Sequence, residues 1–201
     1  MTRLHLTGRV VVAAVFAIAA ALLLDRWAYA TLRWPEIYQH DYGRLLRVMG
    51  FWPTWTVVAA AVWLAERRRA PRPGPRLSRA LLLALAPALG GLGAELFKML
   101  IRRERPGLTG GAYVFRSWSQ HFFSTADLGL PSGHAMVAFA GAALAARAFP
   151  GSGPVWYLLA AGCALTRVLD GAHFLSDVIL GAVAGIGMAA VLWRWGQGPP
   201  S

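Results

Sequence analysis

Six apolar stretches punctuate this chain, at Val10–Leu24, Val48–Ala65, Ala80–Ile101, Ser132–Ala146, Val155–Val168 and His173–Trp193, and they leave it one broad kind of fold. A helix needs about 20 apolar residues to cross the hydrocarbon layer of a bilayer. Trp27 and Tyr29 extend the first stretch with ring types that favour the headgroup zone. Of the 201 residues, 57% are hydrophobic and only 14% charged, so spans and short connections use up the chain and exclude a large extramembrane domain. The expectation is an all-α fold, a polytopic membrane helix bundle of about six transmembrane helices forming one domain over residues 1–201. The first stretch has an alternative reading as a secretory signal peptide, because Arg3 and Arg9 precede it and Ala28-Tyr29-Ala30 resembles a cleavage site. Asp25 to Arg47 mixes charges, aromatics and Pro35 and reads as a connector on the membrane surface.

Twenty basic against nine acidic residues give a formal charge of +11. In a soluble protein that would point to nucleic acid. Here the arginines sit between apolar spans, so the charge belongs to loops facing an anionic membrane or substrate, and no nucleic acid is expected. Arg67 to Arg79 reads RRRAPRPGPRLSR, with six arginines and three prolines, and is expected to be a cytoplasmic loop under the positive-inside rule. Counting crossings from it places the end of the third span, the start of the fourth and the turn between the fifth and sixth on the opposite, outward face. Arg26, Arg33, Arg44, Arg47, Arg102, Arg103, Arg105, Arg116 and Arg167 then also lie outward, against the rule. An anion-binding site on that face would account for the excess. Cys163 is the one cysteine, without a disulfide partner or metal-ligand companion, and leaves the redox compartment unread.

Ionisable side chains at the edge of apolar spans cost about 2.5 to 3.5 kcal/mol each on insertion scales, which makes them functional candidates. Here they gather on the outward face: Lys98 and Arg105-Pro106, Pro131-Ser132-Gly133-His134, Thr166-Arg167, and His173 with Asp177. Each has a plainer role open to it. Lys98 can snorkel or pair with Glu95. Ser132 can cap a helix and Gly133 can serve packing. Arg167 can be a positional anchor, and His134 a satisfied polar residue. His173 and Asp177 are harder to dismiss, because i,i+4 spacing sets a carboxylate beside an imidazole, where it can hold one nitrogen and leave the other nucleophilic. Gly181 and Gly185 form a GxxxG pattern that permits close helix contact.

Together these types suit one chemistry. Three cations, a serine hydroxyl and free N–H groups at a helix start are what a tetrahedral, multiply charged phosphate requires. In phosphoryl transfer the equatorial oxygens need clamping while a nucleophile attacks in line and an acid protonates the departing oxygen. His173 can attack and His134 can donate. His5, His40 and His121 show no ligand spacing, and Asp170 is expected only to pair or cap locally.

The spaced motifs K-x6-R-P at Lys98 to Pro106, PSGH at Pro131 to His134, and R-x5-H-x3-D at Arg167 to Asp177 resemble the type-2 phosphatidic acid phosphatase superfamily, in its bacterial integral-membrane branch. The third motif departs from the family's usual Ser-Arg by carrying Thr166-Arg167. The resemblance implies a metal-independent lipid phosphatase with no cofactor, in which His173 becomes a phosphohistidine, Asp177 orients it and His134 protonates the leaving group. Lys98, Arg105, Ser132, Gly133 and Arg167 would hold the phosphate. It implies a membrane lipid phosphate as substrate, with undecaprenyl pyrophosphate slightly ahead of phosphatidylglycerophosphate, phosphatidic acid and lipid A phosphates. It also implies a multi-pass place in a bacterial inner membrane, with the site facing the periplasm or exterior. Arg102, Arg103 and Arg116 have two readings, as ligands of a second substrate phosphate or as solvated arginines meeting anionic headgroups. A lipid phosphotransferase shares the same chemistry, and a transporter would use similar charges nearer the midplane of its helices.

Overall fold

Long apolar runs satisfy their backbone polar groups internally, and the apolar stretches duly fold as helices. The computed structural model describes residues 2–67 and 77–197. The order is α1 (Thr2–Leu32), a 3-10 turn (Pro35–Gln39), α2 (Asp41–Val48), α3 (Trp52–Glu66), α4 (Arg79–Ile101), the short α5 (Pro106–Thr109), α6 (Gly133–Ala148), α7 (Gly153–Leu169) and α8 (Leu175–Gln197). No strand forms among the described residues; the loop after α4 makes two isolated bridges, Arg103 with Phe115 and Glu104 with Leu128.

This is an all-helical membrane bundle. Three helices, α1, α4 and α8, are long and apolar enough to cross a membrane, and four spans result if α2 and α3, bent by 67°, count as one. Large apolar side chains stand on the outside, Phe16, Leu23, Val57, Leu92 and Leu158 among them, as a lipid-facing surface requires and a water-facing one would not tolerate. The cytoplasmic assignment of Arg67–Arg79 falls mostly on residues 68–76, outside the described residues.

The alanine-rich α6 is the centre. Ala138, Ala140, Ala142 and Ala145 are fully buried, and α4, α7 and α8 pack around it. Small residues let the backbones approach where lipid offers no hydrophobic drive between helices. The GxxxG pair does this at α8: a Cβ on Gly185 would stand 2.4 Å from the Met136 carbonyl oxygen, and one on Gly181 2.6 Å from that of Ser132. Gly141 of α6 likewise lies flat against the Trp55 ring of α3, where a Cβ would come within 2.1 Å. These contacts fix the start of α6 against α8.

Two expectations need correction. The first helix does not stop at Leu24 but continues to Leu32, so Asp25 lies within it, fully buried, rather than in a surface connector. The stretch Val48–Ala65 is not one straight span, because the chain breaks between α2 and α3 at residues 49–51.

Candidate functional site

Four elements bring polar ends together: the end of α4, the start of α6, the end of α7 and the turn into α8. Between them lies a cavity of about 610 Å³ lined by Lys98, Arg105, Gly133, His134, Arg167 and His173, with Arg47 and Glu95 beside them and Phe51, Trp52, Leu92 and Val137 on an apolar flank. Six of the eight expected site residues thus share one cavity. Ser132 and Asp177 sit behind it, each fully buried.

The start of α6 is fixed twice. Ser132 is its N-cap, the hydroxyl accepting from the Ala135 N–H at 3.4 Å, and the Ser132 N–H donates to the Asp177 carbonyl at 3.0 Å. The capping role open to Ser132 is therefore the one its side chain takes. Helix N-terminal N–H groups and their dipole favour an anion, and Gly133 and His134 occupy that first turn.

Lys98, one turn before the end of α4, is buried and pairs with Glu95 at 2.6 Å. Arg105 stands just before α5 without a side-chain bond to it, its backbone N–H donating to the Asp127 carbonyl at 2.9 Å; its buried Nε has no partner. Burial and then the nearby Arg167 guanidinium pull Arg105 below the usual arginine range. Two like charges held near each other at this cost can take an anion between them. Arg167 also keeps a buried Nε without a partner, while its Nη1 donates to the Tyr38 hydroxyl at 2.9 Å and faces Asp170 at 3.5 Å. That is the local pairing expected of Asp170. The Thr166 hydroxyl, by contrast, turns to the protein: it donates to the Cys163 carbonyl at 2.7 Å and accepts from the Tyr38 hydroxyl at 3.2 Å.

His173 lies ahead of α8 rather than within it, so its relation to Asp177 is set by the turn and not by helical spacing. Nδ1 stands 3.5 Å from Asp177 Oδ2 and has no hydrogen-bond partner, which makes the contact electrostatic at this separation. The same Oδ2 accepts from the Phe174 N–H at 2.8 Å, and Oδ1 accepts from Arg103 Nη2 at 2.5 Å. With Nδ1 toward Asp177, Nε2 is the nitrogen left for the cavity. Burial lowers the His173 pKa to about 4 against the opposing pull of Asp177, so the imidazole is neutral at physiological pH.

Sequence reading missed the support behind Asp177. Asp25 of α1 accepts from both the N–H and the hydroxyl of Ser176, at 2.7 and 2.5 Å, and from the Tyr113 hydroxyl at 2.7 Å. Arg103 closes the network by donating to Ser176 Oγ at 2.7 Å. Neither reading of the loop arginines holds. Arg103 is committed to Asp177; Arg102 is buried and binds the carbonyls of Arg116, Ser117, Gln120 and Phe122; Arg116 pairs with Glu104 at 3.1 Å and the Ala126 carbonyl at 3.0 Å. They build the loop rather than meet a second phosphate or the solvent.

The fold and cavity define a membrane helical protein with a cationic pocket holding two histidines at the ends of its helices. Residues 79–199, the larger part of the chain, match the model of the PAP2 superfamily, and the chain belongs to that family of phosphatases. No curated protein and no solved structure matches it. The matched segment contains every expected site residue and begins at α4, leaving α1 to α3, with Asp25, Tyr38 and Arg47, outside it.

Proposed function

We propose that this chain is a lipid phosphatase working through a phosphohistidine. The observation that carries the reading is the cavity in which two histidines and four cations, Arg47, Lys98, Arg105 and Arg167, meet an apolar flank. Lys98, Arg105 and Arg167 clamp the phosphate oxygens, with the N–H groups of the α6 start, where Ser132 and Gly133 lie, adding further donors. His173 Nε2 attacks phosphorus, forming a P–N bond as the P–O bond to the leaving group breaks, and His134 gives its proton to the departing oxygen. His134, left neutral by that donation, then takes a proton from water, whose oxygen attacks phosphorus as the P–N bond to His173 breaks, releasing inorganic phosphate and restoring the His134 imidazolium and the neutral His173 imidazole. Asp177 holds the charge that develops on His173. No metal is needed for this balance, since the clamp supplies the positive charge. The charges gather at helix ends, which favours an enzyme over a transporter.

The substrate is a phosphomonoester or diphosphate of a membrane lipid, its chain along Phe51, Trp52, Leu92 and Val137, and undecaprenyl pyrophosphate is the first to try. The protein sits in a bacterial inner membrane with the cavity facing outward; a reporter fused after Ser201 tests this by reading a cytoplasmic tail. The deciding experiment measures phosphate release by the purified chain in EDTA across a panel of lipid monophosphates and diphosphates, with His173→Ala beside it. Release that survives EDTA and is lost in the variant is the expected result. Release that persists in His173→Ala would end the phosphohistidine reading, and transfer of the phosphoryl group only to an added alcohol would make the enzyme a transferase.

A further inference from the structure

The bend between α2 and α3 presses on the leaving-group side of the cavity. A Cβ on Gly50 would stand 2.6 Å from the His134 Cβ and 2.8 Å from its Cδ2, so the bend rests directly on the imidazole. From the same bend Arg47, Phe51 and Trp52 line the cavity. Arg47 is held at the mouth in two ways: its guanidinium lies over the Tyr38 ring, 4.8 Å from the centroid, and its carbonyl accepts from the Cys163 thiol at 3.7 Å. The Arg167 guanidinium lies over the same ring at 5.7 Å, so one tyrosine braces two cations toward one cavity.

Their charges are not equally spent. Lys98 is paired with Glu95 and Arg167 faces Asp170, whereas among the described residues no carboxylate pairs with Arg105, already assigned to the clamp, or with Arg47, which has no such task. Resting on the phosphatase reading and on His134 as the acid, the geometry points to Arg47 as a subsite for a second anionic phosphate carried by the leaving group. A guanidinium beside His134 stabilises a leaving group that departs with its own negative charge, and offers little to one that departs as a plain alcohol. The shared chemistry is a phosphate close to the scissile one: the inner phosphate of a lipid diphosphate, or the phosphodiester of a glycerophospholipid bearing a terminal phosphomonoester. Arg102, Arg103 and Arg116, bound within the loop, are not free for this task.

The test compares kcat/KM of the full-length wild type, Arg47→Ala and Arg47→Lys on three lipids in one detergent. They are a prenyl monophosphate, the matching prenyl diphosphate, and phosphatidylglycerophosphate. A charged hydrogen bond lost at the subsite corresponds to about tenfold or more. Arg47→Ala is expected to lose that much on the two doubly anionic substrates and far less on the monophosphate, with Arg47→Lys between. A loss on only one of the two identifies the source of the second phosphate. Equal losses on all three would overturn the proposal, and because the readout is a ratio within one preparation, partial misfolding cancels. Thermal protection gives a second arm that needs no turnover: methylenediphosphonate should protect the wild type better than inorganic phosphate, and Arg47→Ala should lose the difference. An unchanged preference in the variant would also overturn it. Absence of phosphate release from every lipid in the wild type, by contrast, would count against the phosphatase reading, and the protection arm would still decide the subsite.

Discussion

Arg103 and Asp177 form a buried ion pair, Nη2 to Oδ1 at 2.5 Å, with the arginine side chain 3% exposed and the carboxylate fully enclosed. The pair joins the loop after α4 to the start of α8, and so fixes the carboxylate behind His173. Removing one partner of a buried pair typically costs about 3 to 5 kcal/mol, because the other charge is left uncompensated. Arg103→Met should therefore lower the melting temperature in detergent and sharply reduce kcat, whereas the double variant Arg103→Met with Asp177→Leu should regain stability without regaining activity. A single variant as stable as the wild type would mean that the pair holds nothing in place.

Asp25 reaches the same network from α1. Asp25→Ala would strand the buried Ser176 N–H and hydroxyl, at about 1 to 3 kcal/mol for each buried unsatisfied group, while the exposed Tyr113 hydroxyl would keep the Leu22 carbonyl at 3.2 Å. Asp25→Asn keeps the shape and offers one acceptor. Tyr113 supplies a readout: burial and then the Asp25 carboxylate push its pKa up to about 12. Its phenol keeps its proton in the folded state where an unfolded tyrosine would already have lost it, so this contribution to stability is present below pH 10 and lost as pH rises toward 12. In Asp25→Asn the tyrosinate absorbance of Tyr113 should rise at lower pH than in the wild type. An unmoved titration would separate the two groups.

How much of this was legible depends on where each residue acts. Lys98, His134, Arg167 and His173 stand in short motifs at helix ends, and the fold carries those ends to one cavity because α4, α7 and α8 all pack on α6. Asp25 acts on Ser176 across 151 positions, and no spacing rule reports such a contact. One signal was present: a carboxylate at the edge of the first apolar stretch falls under the same membrane penalty that singled out Lys98. The break at residues 49–51 was likewise prefigured by Gly50 and Pro53, but its purpose, contact with His134, is tertiary.

The close approach of α6 and α8 gives a stability test with an internal control. Gly185→Val and Gly181→Val place carbons against the carbonyls of Met136 and Ser132, which belong to helix backbone and cannot step aside. Both should lower thermal stability, and Gly181→Val should also lower activity because it displaces the start of α6. Gly187, on the same helix with nothing within 4 Å of its added Cβ, should accept alanine without loss. Equal behaviour of all three would show that α6 and α8 are not seated on these glycines.

His173 sets the acid side of the pH profile. Its pKa is lowered to about 4 by burial, with the Asp177 charge pulling the other way, so the nucleophilic neutral form persists well below the ordinary histidine range near 6.5. The acid limb of kcat/KM that belongs to the nucleophile should accordingly lie near pH 4. The same depression costs stability on acidification: the unfolded chain binds the proton first, so the folded state loses ground between about pH 6.5 and 4. His173→Gln should flatten that part of the stability curve. A nucleophile limb near pH 6.5 would show the imidazole to be solvated in the working enzyme.

The contact between Gly50 and His134 makes a prediction about leaving groups. If His134 protonates the departing oxygen, its placement matters most for substrates whose leaving group is a poor one. An alkyl alkoxide needs the proton as the P–O bond breaks; a nitrophenolate leaves nearly without it. Gly50→Ala adds a carbon 2.6 Å from the His134 Cβ, and relief must come from the bend or from the imidazole. Gly50→Ala and His134→Ala should therefore share a signature: a large fall in kcat on an alkyl phosphate and a much smaller one on p-nitrophenyl phosphate, steepening the dependence of rate on leaving-group pKa. His173→Ala should abolish turnover of both alike, since the nucleophile is needed whatever departs. A Gly50→Ala variant that slowed both substrates by the same factor would place the bend's effect on phosphate binding instead, and would move the acid away from His134.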